Sequence, residues 1–410
     1  MTNKISYLEE GDFAVLTRAN VQVWDHSGAL VEREIKTINT QNTQVQKDGY
    51  QHFMEKEIHE QPRVVSLALE YYFDPDTGKI TLPDGIDINF NDFEQIYLVA
   101  CGTAFYACHV AKYWFEDIAR IPVEIDIASE FRYREPPIKK NTLAIFVSQS
   151  GETADTLAAL RYCTGKAKKI VSLTNVSESS ISRESDCSLP ILAGIEIGVA
   201  STKAFTCQLS VLFALAIKAS SDLEKISNEE QMNIYSEAIK IPSLINQILD
   251  KKDSFSALAT KLSEARDVLF LGRGLLYPLA LEGALKLKEI SYIHAEAYAS
   301  GELKHGPIAL IDKSVPVIIL TPKDKLFDKN ISNIQEVAAR GGKVVLISDK
   351  LGIDTIGEKF WNIIELPKTI DTLNPLLYAI AVQLIAYYTA VAKGTDVDQP
   401  RNLAKSVTVE

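Results

Sequence analysis

The sequence predicts an α/β chain made of two tandem, nucleotide-fold-like lobes, each three layers deep (αβα) around a parallel sheet. A short β segment and a helical linker precede them. Three observations carry that expectation. From about Asp87 to the end, β-forming apolar runs alternate with helical patterns, as parallel sheets require. The alternation also occurs twice: "QIYLVACGTAFYACHVAKYWFE" aligns with "DVLFLGRGLLYPLALEGALKLKE", placing Gly102 and Gly274 172 positions apart. Finally, each half closes on an apolar helix, "AFTCQLSVLFALAIKAS" in the first and "LLYAIAVQLIAYYTAVA" in the second.

Taken in order, residues 1–45 read as short β pieces, "FAVLT" and "VQVWD", around a turn at "DHSGAL". Residues 46–86 read as a helical linker ending in the "PDTGK" and "LPDG" turns. The first lobe spans 87–225, a polar helical connector 226–258, the second lobe 259–398, and a turn-rich tail 399–410. Within the lobes, "LAIFVSQSGETADTLAALRY" corresponds to "VPVIILTPKDKLFDKNISNIQEVAAR", and "KKIVSLTN" to "GKVVLISD".

With 410 residues, 46% apolar and 24% charged, the composition is that of a globular chain of more than one domain. A formal charge of −11 argues against a nucleic-acid footprint and against adhesion to anionic membranes. Five cysteines without a CxxC pair suit free thiols in a reducing cytosol, and the six histidines show no zinc spacing, so no metal is expected. The opening "MTNKISYLEEGDFAVL" does not read as a secretory leader. The run Leu376–Ala392 contains Gln383 and is short for a membrane span, so it is expected as a buried helix.

The chemistry concentrates in "VSQSGETADT", where Ser148, Ser150, Thr153 and Thr156 crowd a predicted strand–turn–helix junction. The first N–H groups of a helix lack partners and carry positive partial charge, so an anion settles there, helped by hydroxyl donors. Gly151 would allow close backbone approach. Ser and Thr also cap helices routinely, so these ten residues alone leave capping and phosphate binding both open. The second copy has "TPKDKLFD" at the same place, and capping alone does not explain such one-sided enrichment.

The stretches "ACGTA", "SQSGETADT", "EIGVASTKAFT", "ALEGALKLKEISYIHAEAYASGELKHGP" and "KGTDVDQPRNLAKSVTVE" resemble the isomerase part of the glucosamine-6-phosphate synthase family, a pair of sugar-isomerase (SIS) domains. The resemblance runs over essentially the whole chain. It implies two SIS lobes and a reaction that turns fructose 6-phosphate and glutamine-derived ammonia into glucosamine 6-phosphate, without a cofactor. It further implies a cytoplasmic homodimer and, in the full-length enzyme, a glutaminase domain, of which residues 1–45 look like the last strands. The family's N-terminal cysteine nucleophile has no counterpart, and Thr2 is no substitute. The chain is expected to be a fragment or a shortened relative that isomerises fructose 6-phosphate without using glutamine. A second departure is Ala104, where the family usually has serine.

For individual positions the resemblance implies the following. Phosphate and sugar contacts fall on Thr103, Ser148, Gln149, Ser150 and Thr153. Val199, Ala200, Ser201 and Ala404 are further contacts. Glu289 corresponds to the carboxylate that moves a proton between C1 and C2, with Lys286 as its polar partner. Glu282, Lys286 and Glu289 stand at i, i+4 and i+7, one helix face, which without a resemblance reads as a solvated Glu–Lys face. His305, in the Gly-flanked "GELKHGP", corresponds to the ring-opening group, reaching into a neighbouring subunit's site. Lys405 corresponds to the amine that condenses with the C2 ketone, although a tail lysine is ordinarily just solvated. Two other classes compete: a non-catalytic phosphosugar sensor, which has no use for Glu289, His305 and Lys405 together, and a sugar-phosphate deglycase or deaminase.

Overall fold

A computed structural model describes residues 4–9, 11–37, 46–357 and 360–409. It divides into two compact units, 1–46 and 47–410. In the first unit, β1 (Lys4–Ser6) pairs antiparallel with β5 (Ile35–Thr37). A separate antiparallel meander joins β2 (Phe13–Leu16), β3 (Val21–Trp24) and β4 (Leu30–Val31). The β3–β4 turn forms because the Asp25 carboxylate accepts the Ser27 and Ala29 N–H groups. A bidentate Arg33–Asp12 pair holds the Asp12 carboxyl well below its usual range.

The second unit opens with α1 (Phe53–Tyr72). This helix is more than a linker. Met54, Ile58, Val65 and Leu69 recur at helical spacing and are buried, and the helix packs against residues Lys203–Asp222, the closing helix of the first lobe. The first lobe then runs β6 (Gln95–Ala100), α2 (Gly102–Trp114), β7 (Val123–Ile127), α3 (Ala128–Arg134), β8 (Thr142–Ser148) and α4 (Ala154–Cys163). It continues with β9 (Lys169–Thr174), α5 (Ser180–Glu184), β10 (Cys187–Pro190) and α6 (Lys203–Asp222). Its sheet is wholly parallel in the order β10-β9-β8-β6-β7. Strands β6 and β8 are buried along their whole length, as a sheet covered on both faces requires.

Three helices form the connector: α7 (Asn228–Ala238), α8 (Ile241–Leu249) and α9 (Lys252–Leu262). The second lobe repeats the first with β11 (Asp267–Gly272), α10 (Leu276–Ser291), β12 (His294–Ala299), β13 (Pro316–Leu320), α11 (Phe327–Ala338) and β14 (Lys343–Asp349). It ends on α12 (Lys350–Ile356), β15 (Asn362–Leu366) and α13 (Asn374–Lys393). Its parallel sheet, β12-β11-β13-β14-β15, has the same strand order as the first when each lobe is numbered from its own first strand.

Helices α6 and α13 are long and apolar enough to cross a membrane, yet both are mostly buried inside the fold. The buried Gln383 of α13 explains itself: it accepts a hydrogen bond from Gln61 Nε2 at 2.8 Å and donates to the Thr202 carbonyl at 3.1 Å. It thus ties α13 to α1 and to the start of α6. Helices α2 and α10 pack on each other across the two lobes, which brings side chains of the second lobe to the strand ends of the first.

Candidate active site

In the first lobe the C-terminal ends of β6 and β8 carry the two turns that open α2 and α4, the usual place for a ligand in a parallel sheet. A cavity of about 300 Å³ lies there. It is lined by Thr103 and Ala104 from the first turn, by Ser148, Gln149, Ser150 and Thr153 from the second, and by Val199, Ser201 and Gln208 around the start of α6. Lys286 and Glu289 reach it from α10, and Ala404 to Val407 of the tail close it. Every residue expected at the site is therefore brought together except His305 and Ala200. Ala200 is buried beside the cavity wall. His305 is exposed at the end of a 3-10 turn, Ser300–His305, and does not line this cavity.

The hydroxyl turn does not cap α4. Thr153 is the N-cap residue, but its side chain accepts no helix N–H. Instead Ser148 Oγ accepts the Gly151 N–H at 3.0 Å and bonds Thr153 Oγ1 at 3.0 Å, which shapes the turn. Ser150 Oγ bonds Ser406 Oγ of the tail at 2.9 Å. Gly151 is required twice over. Its φ is +67°, and a Cβ there would fall 1.9 Å from Ser179 Oγ. The Ala154 N–H, one of the open donors at this helix end, bonds the Val407 carbonyl at 3.1 Å, so the tail lies directly on the turn.

Two buried charge clusters face the cavity. In the first, Lys286 lies between Glu282 and Glu289, 3.6 Å from one carboxylate and 2.5 Å from the other. Glu282 also accepts from Thr103 Oγ1 at 3.2 Å, linking α10 to the first turn of α2. Burial pushes Glu282 up to about 8; Lys286 counters that push and Glu289 adds to it. Burial by itself would lower Lys286, but the two carboxylates hold it above the ordinary lysine value. The face is thus a buried Glu282–Lys286 pair with a half-buried Glu289 at the cavity, rather than a solvated stripe.

The second cluster joins Lys405 and Ser201 to an acid that the sequence patterns do not single out. Glu196, buried, accepts from Lys405 Nζ at 2.5 Å, from Ser201 Oγ at 3.1 Å, and from the Thr202 and Ala204 N–H groups at 3.0 Å each. Lys405 Nζ donates also to the Gly198 carbonyl at 2.8 Å. Burial alone would raise Glu196, but Lys405 and the two helix-end N–H groups hold it below the usual carboxylate value. The signal was present in "EIGVASTK", an acid followed by a glycine loop and a helix start, which lets one carboxylate collect that helix's open N–H groups.

The matching turns of the second lobe frame a different cavity, about 480 Å³, lined by Gly274, Leu276, Asp324, Lys325, Asp371 and, from the first lobe, Asp117, among others. Burial raises both Asp324 and Asp371; Asp371 adds to the rise of Asp324, while Lys325 and Lys368 counter that of Asp371. Carboxylates in place of hydroxyls repel a phosphate, so the two lobes differ in chemistry although they share a topology. Among the described residues no His, Cys, Asp and Glu group has the makings of a metal site.

The Glu282 carboxyl gives a stability test. Its folded value lies above the unfolded one, so its stabilising contribution is complete below about pH 4.5 and is lost as pH rises through about 8. Urea unfolding of the wild-type chain should therefore show stability falling across that window, by at most about 1.4 kcal/mol per pH unit from this group. Glu282→Gln should flatten the fall. Equal slopes in the two proteins would contradict the assignment.

Comparison with known proteins bears on the same residues. The SIS domain family matches residues 90–218 and 261–393. Glutamine–fructose-6-phosphate aminotransferase (isomerizing) of Brucella abortus is 55% identical over 409 residues, covering 100% of this chain and 67% of its own length. The enzyme of the same name from Zymomonas mobilis is 53% identical over 410 residues, with the same coverage. The chain thus spans about two thirds of the length of these relatives. Among solved structures, the C-terminal domain of glucosamine-fructose-6-phosphate aminotransferase from Francisella tularensis superposes with a TM-score of 0.84 at 44% identity, covering 87% of this chain and 100% of that one. Glucosamine-6-phosphate deaminase of Thermotoga maritima, at 23% identity and a TM-score of 0.67, shares the fold. The chain belongs to the glutamine–fructose-6-phosphate aminotransferase (isomerizing) family, and it spans the part of that family built from two SIS domains.

Proposed function

We propose that this chain binds fructose 6-phosphate in the first-lobe cavity and carries out the sugar chemistry of glucosamine 6-phosphate formation. The observation that carries the reading is the convergence on one 300 Å³ cavity of a hydroxyl turn at a helix N-terminus, a carboxylate on α10 and the amine of Lys405. In this reading Thr103, Ser148, Gln149, Ser150 and Thr153 hold the phosphate, the Ala104 N–H standing in for the family's serine. Val199, Ser201 and Ala404 contact the sugar. With the ring open, the Lys405 amine adds to the C2 ketone and water leaves, giving an imine; Glu196, bonded to Nζ, is the group to which the ammonium proton passes first. Ammonia then displaces the lysine at C2. Glu289 takes a proton from C1 and returns it to C2 while the C1 hydroxyl proton passes to the imine nitrogen, leaving an aldehyde at C1 and an amine at C2. Without ammonia the same proton transfer on the free ketose gives glucose 6-phosphate. Lys286 fixes the Glu289 carboxylate from 2.5 Å. His305, exposed in its own chain, serves the ring-opening step in the site of a second copy, so the working form is a homodimer in the cytoplasm. In the full-length enzyme a glutaminase domain supplies the ammonia.

Borohydride added with fructose 6-phosphate should reduce the imine and leave a sugar adduct that maps to Lys405. Lys405→Arg should bind the sugar about as well but lose turnover, since a guanidinium stays protonated and forms no imine. An adduct on Lys286 or Lys203, or turnover with no adduct, would remove Lys405 from the covalent role; binding without any turnover in the wild-type chain would favour a phosphosugar sensor.

The subunit assignment of His305 is tested by mixing. A His305→Ala chain and a Lys405→Ala chain, each inactive, should regain activity when combined, because one hybrid site then contains both intact groups. No recovery in a mixture shown to exchange subunits would place His305 outside the partner's site.

A further inference from the structure

Glu57, on α1, is a carboxyl that does not line the cavity, 2% exposed and used by nothing described so far. Its Oε1 accepts the Ile197 N–H at 2.5 Å and the Gly198 N–H at 3.2 Å. Its Oε2 has no hydrogen-bond partner among the described residues and sits 2.9 Å from where a Cβ on residue 198 would project, so a larger residue there would press this carboxyl out of place. The loop it grips is the one that supplies both acceptors of the Lys405 amine, the Glu196 carboxylate and the Gly198 carbonyl. The tail holds the same assembly from the other side. Val199 N–H bonds the Asp398 carbonyl at 3.0 Å, and the Asp398 carboxylate caps α1 by accepting from Phe53 and Met54 N–H at 2.9 Å each.

We propose that Glu57 is a positioning residue for Lys405: by holding the Ile197 and Gly198 amides it fixes the loop whose carboxylate and carbonyl aim the amine at the cavity. This rests on the reading of Lys405 as the imine-forming group. An apolar side chain of the same size would leave the buried Gly198 N–H and the partly buried Ile197 N–H without this acceptor, which explains why a carboxyl is kept in so costly a place.

The ionisable groups facing Glu57 are Glu196 from the loop and Lys405 from the tail; Lys203 of α6 is committed to Glu60 at 2.6 Å. Burial, reinforced by Glu196, raises Glu57 to about 7, against the pull of the two amides and Lys405. Below that pH the carboxyl is neutral and Lys405 faces one negative charge. Above it a second negative charge appears beside Glu196 and draws the Lys405 Nζ more strongly toward the loop, away from the ketone.

The test uses the full chain, with fructose 6-phosphate and borohydride, following the rate of adduct formation on Lys405 from pH 6 to 9 together with the sugar Kd. Glu57→Ala should slow trapping by about tenfold or more while the Kd stays within about threefold, because the amine and not the phosphate site is displaced. Glu57→Gln keeps an acceptor oxygen and mimics the neutral carboxyl, so at pH 6 it should trap at nearly the wild-type rate. At pH 8 to 9 it should trap faster than wild type. Wild-type trapping by Glu57→Ala, or a Glu57→Gln protein as slow as Glu57→Ala at pH 6, would overturn the inference. Should Glu57→Ala fail to fold, the Glu57→Gln profile decides: a curve superimposable on wild type at every pH overturns it. An adduct on a different lysine in the wild-type chain would instead strike the underlying reading, and the two failures are told apart by that map.

Discussion

The site depends on one buried ion pair, Lys405 to Glu196. A carboxylate removed from water is costly unless it is fully paired, and Glu196 is paired by an ammonium, a hydroxyl and two helix N-terminal amides. The ammonium comes from the last six residues of the chain. A tail with little secondary structure is thereby fastened to the first lobe, and the fastening brings Ser406 and Val407 onto the hydroxyl turn. Without the pair the tail would have only a few exposed contacts, too few to offset the entropy of ordering it. Substrate entry and tail closure are coupled on this account, since the Val407 carbonyl holds an N–H at the very helix end suited to an anion.

Duplication explains the rest of the geometry. Two lobes of identical strand order meet along α2 and α10, so each lobe can lend side chains to the turns of the other. In the first site Lys286 and Glu289 arrive from α10 over hydroxyls. In the second, Asp117 arrives from the region after α2 over Asp324 and Asp371. The architecture offers two equivalent crevices, one lined mainly by hydroxyls and the other mainly by charged side chains, Asp117, Asp324 and Asp371 among them.

Much of this was legible from residue patterns. The period-two and continuous apolar runs located the strands, and the 172-residue offset revealed the repeat before any coordinates. The hydroxyl turn stood out because its copy lacked it. Three things were not legible. Helix α1 reads as a polar linker because Glu57 and Gln61 interrupt its apolar face, yet both are buried and paired across long sequence distances. Glu196 lies in a loop with no periodicity, and its partners come from residue 405 and from a helix start six to eight residues on. The burial of the Glu282–Lys286–Glu289 face depends on the other lobe, so spacing alone cannot separate it from a solvated stripe.

Whether the Lys405–Glu196 pair holds the tail on the hydroxyl turn is read by amide hydrogen exchange at Ala154, whose N–H bonds the Val407 carbonyl. In a Glu196→Gln chain that still melts cooperatively, the Ala154 amide and the tail amides should exchange at least about tenfold faster than in wild type, while β8 amides keep their protection. Unchanged exchange at Ala154 would mean that the tail stays in place without the ion pair, and the account would be wrong.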